Sequence, residues 1–194
     1  MLAQLALPYQ TTELDVLARP PETQSAAFLA KNPHGLIPVL QLDDGQVLTE
    51  SGAILFYLAE GTRFLPEARF ARAQTLRWMF FEQRSHAPYL SVLEAWTYRN
   101  DLQGMRADAI QQMRVHGQAA IDLMEKHLEG HAFFAGEHYS IADIALFAYT
   151  QSADKIGLRT GSAIKAWMTR VRSQPGHIPI KTEPVPKGPP QRWS

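Results

Sequence analysis

The order of apolar and polar positions changes its rhythm partway along the chain. Met1 to Leu7 is apolar enough for two turns of helix, and Pro8 ends it, because the residue before a proline is pushed out of the helical region. Tyr9 to Val16, with Leu14 and Val16 on one face, predicts a short strand. Pro20 and Pro21 open a turn, and Thr23 to Lys31 predicts a short helix stopped at Asn32-Pro33. Ile37 to Leu42 and Gln46 to Thr49 flank Asp43-Asp44-Gly45, whose Asp-Gly pair supplies the positive φ angles of a tight hairpin. Ser51 is placed to cap a helix carrying Ile54, Leu55 and Leu58, with Gly61 just past its end.

After Gly61 the strand rhythm stops. Thr62 to Glu67 is a short proline-containing connector, and almost everything beyond it repeats with helical spacing. Ala68 to Tyr98 predicts one long helix bent at Pro88, where an interior N–H is missing. Met105 to Glu129 predicts a second, with Ile110, Met113, Ala120, Met124 and Leu128 on its apolar face and Gly130 at its end. Ser140-Ile141-Ala142-Asp143 has the form of a capping box, with Tyr139 and Ile144 as its hydrophobic staple. A last helix, Ser162 to Ser173, offers Ile164, Trp167, Met168 and Val171 to a core. The reading is therefore α+β: residues 1–62 as a small mixed domain, 68–177 as an all-helical bundle, and 178–194 as a proline-rich tail that carries no chemistry.

Composition narrows the function. Nineteen basic residues against nineteen acidic ones leave no net charge over 194 residues, which gives phosphate backbones or anionic lipid no electrostatic footprint. Neither nucleic acid nor membrane is expected as a partner. With no cysteine there is no disulfide, thiolate metal site or cysteine nucleophile in this sequence. The apolar run at Met1 to Leu7 is too short to span a bilayer and lacks the basic start of a secretory signal, so the cytoplasm is the expected compartment.

The chemistry concentrates at Asn32-Pro33-His34-Gly35-Leu36-Ile37-Pro38-Val39-Leu40. A proline at the second position of a strand removes a ladder donor and needs a reason. A cis Ile37-Pro38 bond is one, since it turns the Ile37 N–H and C=O outward, where they can pair with a peptide-like ligand. The alternative is that Pro38 only blunts an edge strand and Ser51 only caps a helix.

The pattern Asn-Pro-x-Gly-x-Ile-Pro-x-Leu, followed by Glu50-Ser51-Gly52-Ala53-Ile54, resembles the glutathione site of the cytosolic glutathione transferase family. Ser140 to Ala145 resembles the capping motif of the same family's helical domain. The resemblance covers most of residues 1–177 and is sharpest at 32–54 and 139–149. It implies a thioredoxin-like N-terminal domain, incomplete at its start, followed by an all-α bundle. By the same resemblance Ile37, before cis Pro38, bonds the cysteinyl backbone of glutathione, and Glu50 with Ser51 holds the γ-glutamyl end. A helix start suits that carboxylate, because it presents free N–H groups and a positive dipole end. Glutathione is thus the expected co-substrate, a small electrophile the second substrate, and a homodimer the expected assembly, with no metal.

Two departures matter. Family members open with a strand and a loop bearing the tyrosine, serine or cysteine that bonds the glutathione sulfur, and this sequence has neither, so the expectation is that the start lies upstream. A non-catalytic glutathione-binding or protein-interaction role is the alternative. Leu36 stands where many relatives place a lysine or glutamine near the glycyl carboxylate, with His34 or Lys31 as substitutes. Conjugation needs the glutathione thiol ionised from a pKa near ~8.5, and no residue here is assigned that task. Trp78, Phe81, Arg84 and His86 are candidates for the electrophile pocket by helical spacing. Glu82 and His86 share an i,i+4 spacing that more often marks a packed or surface pair than an acid–base dyad. His127 and His131 lack a third ligand, and Asp122, Glu125, Lys126 and Glu129 read as a solvated helix face.

Overall fold

The computed structural model describes residues 1–16, 18–98 and 106–180. A three-residue antiparallel ladder forms between β1 (Val39–Gln41) and β2 (Val47–Thr49), pairing Val39 with Thr49, Leu40 with Leu48 and Gln41 with Val47. Its turn closes through Gly45 N–H to Leu42 C=O (2.9 Å) and Leu42 N–H to Gln46 C=O (2.8 Å). Only Gly45, at φ +86°, takes the left-handed conformation. The loop is therefore a turn followed by a left-handed residue rather than the two-residue turn the Asp-Gly pair suggested.

The strand expected over Tyr9 to Val16 does not form. Those residues run irregular and largely exposed beside no ladder partner among the described residues, and alternation alone cannot hold a strand whose N–H and C=O groups have nothing to pair with. Before it, the expected helix at Met1 to Leu7 contracts to a single 3-10 turn at Ala3–Leu5, closed by Ala6 at φ 53°. Another 3-10 turn at Glu22–Gln24 leads into α1 (Ala26–Leu29), capped by Ser25 Oγ accepting from the Phe28 N–H (3.3 Å).

The hairpin hands over to α2 (Ser51–Ala59), after which Gly61 turns the chain at φ +71°. Phe64 and Leu65 in the connector are buried, at 1% and 3% exposed, and the Phe64 carbonyl accepts from the Ile141 N–H (3.0 Å). The connector thereby pins the start of a core helix. The rest is helical: α3 (Arg69–Phe81), α4 (Ala87–Tyr98), α5 (Ala107–Leu128), α6 (Ile141–Thr150) and α7 (Ser162–Arg172). This is the small sheet with a mostly helical remainder that the sequence predicted. Trp78, Phe134, Leu90, Ile121, Met124, Ile141, Leu146, Ile164 and Trp167 are each 1% exposed or less and form one core. Among the described residues no helix is long and apolar enough to cross a membrane.

The bend expected at Pro88 takes a specific form. Glu82–His86 is a π turn in which the Ala87 N–H bonds the Glu82 carbonyl, so the helix gains a residue just before the proline that cannot donate. One surface assignment also changes. Glu125 caps α7 instead of facing water: its two carboxylate oxygens accept from the Ala163 and Ile164 N–H groups at 2.8 and 2.9 Å. The expected tail beyond residue 180 lies outside the described residues.

Candidate functional site

Asn32 organises the loop that leads into the hairpin. It is 4% exposed, its Nδ2 donates to the Leu36 carbonyl (2.6 Å), and its Oδ1 accepts from the His34 N–H (3.2 Å). Gly35 sits at φ +63° against Gln24 and Thr23, a conformation and a closeness that a side chain would not tolerate. This fixed loop delivers Ile37 and Pro38, joined by a cis bond, to the open end of β1. Ile37 is 56% exposed, and neither its N–H nor its C=O finds a backbone partner among the described residues.

Across from it, β2 is followed by Glu50, which holds φ 68° and ψ 117°. A non-glycine residue there stores of order 1–3 kcal/mol of backbone strain, a cost that clusters at ligand clamps. Its carbonyl still accepts the first bond of α2, from the Ile54 N–H (2.9 Å). Ser51 is the first residue of that helix and makes no side-chain capping bond, contrary to its expected role as a cap. The hydroxyl and the free N–H groups of the first turn are left facing outward.

These pieces form one wall of a cleft of about 310 Å³. Asn32, Leu36, Ile37, Pro38, Glu50 and Ser51 line the hairpin side, and Glu82, Gln83, Ala87, Pro88, Ser91 and Tyr149 line the helical side. Ile37, Pro38, Glu50 and Ser51 are thus brought together. His34 is exposed and lies outside that lining, and Lys31 is engaged elsewhere, its Nζ donating to Gln41 Oε1 (2.8 Å).

The helical wall is not the one spacing suggested. Trp78 is 1% exposed and packs edge or tilted against Phe81, His127 and Phe134, with ring centres 5.2, 4.7 and 4.7 Å away, so it belongs to the core. Phe81 packs on it, and Arg84 is exposed and does not line the cleft. His86 is fully buried, with Nε2 2.9 Å from Thr150 Oγ1. Because the single Thr150 proton goes to the Leu146 carbonyl (2.7 Å), His86 Nε2 must carry the hydrogen, and Nδ1 has no partner among the described residues. Burial drops the imidazole pKa to about 3. The extra residue of the π turn is what sends His86 inward while Glu82, Ala87 and Ser91 meet the cleft.

Glu82 is the residue that sequence reasoning passed over as a packed or surface pair with His86. It is 5% exposed, one oxygen accepts from Gln83 Nε2 (2.8 Å), and burial pushes its carboxyl up to about 7. Burial likewise raises the Tyr149 phenol, with Glu82 and Glu94 adding to the shift. The available signal was Pro88 six residues on, which disturbs the helix where Glu82 lies. His127 and His131 stack at 4.2 Å, and among the described residues no cluster suited to a metal ion exists.

Behind this wall α6 is anchored by its capping box. Ser140 Oγ accepts from the Ala142 N–H (3.3 Å) and Asp143 Oδ2 accepts from the Ser140 N–H (2.9 Å). Asp143 Oδ1 takes two further bonds, from the Phe134 N–H (3.1 Å) and Trp167 Nε1 (2.9 Å). Burial still raises its carboxyl to about 6. A second cavity, about 320 Å³ and mainly apolar, lies between Met1, Tyr139, Phe147 and His177 and contains none of the motif residues.

The chain is similar to known proteins over most of its length. The family profile described as glutathione S-transferase, N-terminal domain, matches residues 1–60, and the corresponding C-terminal domain profile matches 107–170. A crystal structure of a glutathione S-transferase from Pseudomonas fluorescens Pf-5 superposes with a TM-score of 0.87 at 47% identity, covering 92% of this chain and 89% of that one. The disulfide-bond oxidoreductase YfcG of Escherichia coli is 34% identical over 76% of this chain and 72% of its own length. The glutathione S-transferase stcT of Emericella nidulans is 31% identical over 81% of this chain and 74% of its own.

Proposed function

We infer, for a chain that belongs to the glutathione S-transferase family, that it joins the thiol of glutathione to small electrophiles in the cleft between hairpin and helices. The observation that carries this reading is the convergence of three groups on one wall: the exposed Ile37 backbone edge, the strained Glu50 and the start of α2 at Ser51. Ile37 pairs with the peptide backbone of the ligand as an added strand would. The first turn of α2 and the Ser51 hydroxyl receive the γ-glutamyl carboxylate, and Glu50 accepts from its ammonium. Pro38 shapes the edge, and His34, outside the lining, contributes at most from the rim.

The electrophile enters against the helical wall. Tyr57, Phe70 and Phe80 on α2 and α3 are 51%, 77% and 68% exposed, and these apolar side chains support association into a homodimer. Retention on immobilised glutathione, paired with a thiol-conjugation assay, tests the reading. Wild-type protein is expected to be retained and to turn over, and Glu50→Ala/Ser51→Ala to lose both. Retention unaffected by that double change would overturn the site.

A further inference from the structure

Among the described residues the cleft walls contain no lysine, arginine or histidine side chain, so none of them neutralises a carboxylate placed there. Glu82 is such a carboxylate, set at the first position of the π turn, nearly fully buried, and opposite Pro38, Glu50 and Ser51. The Gln83 amide holds one of its oxygens at 2.8 Å and so fixes the orientation of the carboxyl. The titratable groups that face it are Tyr149 from α6 and Glu50 at the start of α2. His86, on the same turn, is committed to Thr150. Burial without a cation keeps the proton on Glu82 up to about pH 7, with the Gln83 bond opposing weakly. A π turn interrupting a helix beside a cleft is a frequent mark of a functional position.

A carboxyl that keeps its proton near neutrality donates to an oxygen on which charge develops. The Tyr149 phenol and Ser91 hydroxyl on the same wall add donors of the same kind. An electrophile that expels halide gains little from this wall, because its charge develops on an atom that accepts hydrogen bonds poorly.

We propose that Glu82 is the general acid of this cleft and that its preferred second substrate is an alkene conjugated to a carbonyl. This rests on the functional reading above. The C–S bond forms at the β-carbon while the alkene electrons move to the carbonyl oxygen, and Glu82 gives that oxygen its proton. The resulting enol reverts to the ketone in water, and the carboxylate regains from water the proton that the thiol released.

The test compares two probes, methyl vinyl ketone and benzyl chloride, on the full chain. Thiolate formation affects both alike, so the ratio of their kcat/KM values isolates the donor. For wild-type protein the ketone-to-chloride ratio falls about tenfold per pH unit above about pH 7, as the acid is lost. In Glu82→Gln the ratio is at least about tenfold lower and flat with pH, and Glu82→Asp restores part of both the ratio and its pH dependence. A flat wild-type ratio between pH 6 and 8.5, or an unchanged ratio in Glu82→Gln, overturns the proposal while retention on glutathione leaves the functional reading standing. Failure of both probes together with loss of retention overturns both. Should Glu82→Gln not fold, the wild-type ratio decides alone.

Discussion

Replacing Asp143 with alanine removes one fully buried carboxylate that four donors share: the N–H groups of Phe134 and Ser140, the Ser140 hydroxyl and Trp167 Nε1. The hydroxyl can rotate to another acceptor, but the three N–H groups cannot. Each buried donor left unpaired costs about 1–3 kcal/mol, or about 3–9 kcal/mol together. Against this stands relief from burying a charge, since the carboxyl has moved from 3.8 to about 6. That shift of about two units corresponds to about 3 kcal/mol. The unpaired donors win, and a net loss of about 3 kcal/mol is expected at pH 7, read by urea unfolding followed through tryptophan fluorescence and circular dichroism. The sign of the pH dependence is fixed by the raised pKa. The favourable contribution of Asp143 is complete below pH 3.8 and is lost as pH rises through about 6, so the defect of the alanine variant is larger at pH 4 than at pH 7. A loss below about 1 kcal/mol at pH 7, or a larger defect at pH 7 than at pH 4, would refute the view that this box anchors α6 and with it Tyr149.

Glu82 also has a folded pKa above its ordinary value, 4.5 rising to about 7, so the stability it lends below pH 4.5 is gone above pH 7. Glu82→Gln is therefore expected to melt higher than wild type at pH 8, by about 1–2 kcal/mol after allowing for solvent screening on the open side, and to lose that advantage at pH 5. His86 moves the other way, from 6.5 to about 3, so the unfolded chain takes up its proton first and stability falls on acidification by about 1.4 kcal/mol per pH unit below 6.5. Denaturation at pH 7 and pH 5 should show that slope reduced by one proton in His86→Gln. Asn32→Ala removes the two bonds that close the loop before Ile37, and calorimetry should show glutathione binding about tenfold weaker, equivalent to about 1.4 kcal/mol.

Much of the fold was legible because local chemistry agreed with tertiary structure. The hairpin around Gly45, the helix between Ser51 and Gly61, and the Ser140–Asp143 box each carry their own start or stop signal, and each appears with small shifts of boundary. Tyr9 to Val16 was misread because a strand depends on a partner that its own residues do not encode. The proline in β1's approach stood out in the sequence because it breaks a local rule of strands, and the structure gathers it with Glu50 and Ser51 on one wall of the cleft.

The helical wall was not readable. Helical spacing alone does not say which face of residues 78–86 meets the hairpin: Trp78 packs into the core ahead of the π turn, and within that turn His86 goes inward while Glu82 lines the site. Glu125 was taken for a solvated charge because its partners, the first N–H groups of α7, lie 38 and 39 residues away in sequence.

The most direct measurement of the central claim is a titration of uniformly 15N-labelled protein with glutathione, followed by amide chemical shifts. The largest changes are expected at the Ile37 and Ser51 N–H groups, fading toward the second cavity near Tyr139 and His177. Shifts centred on that second cavity, or none at millimolar glutathione, would contradict it.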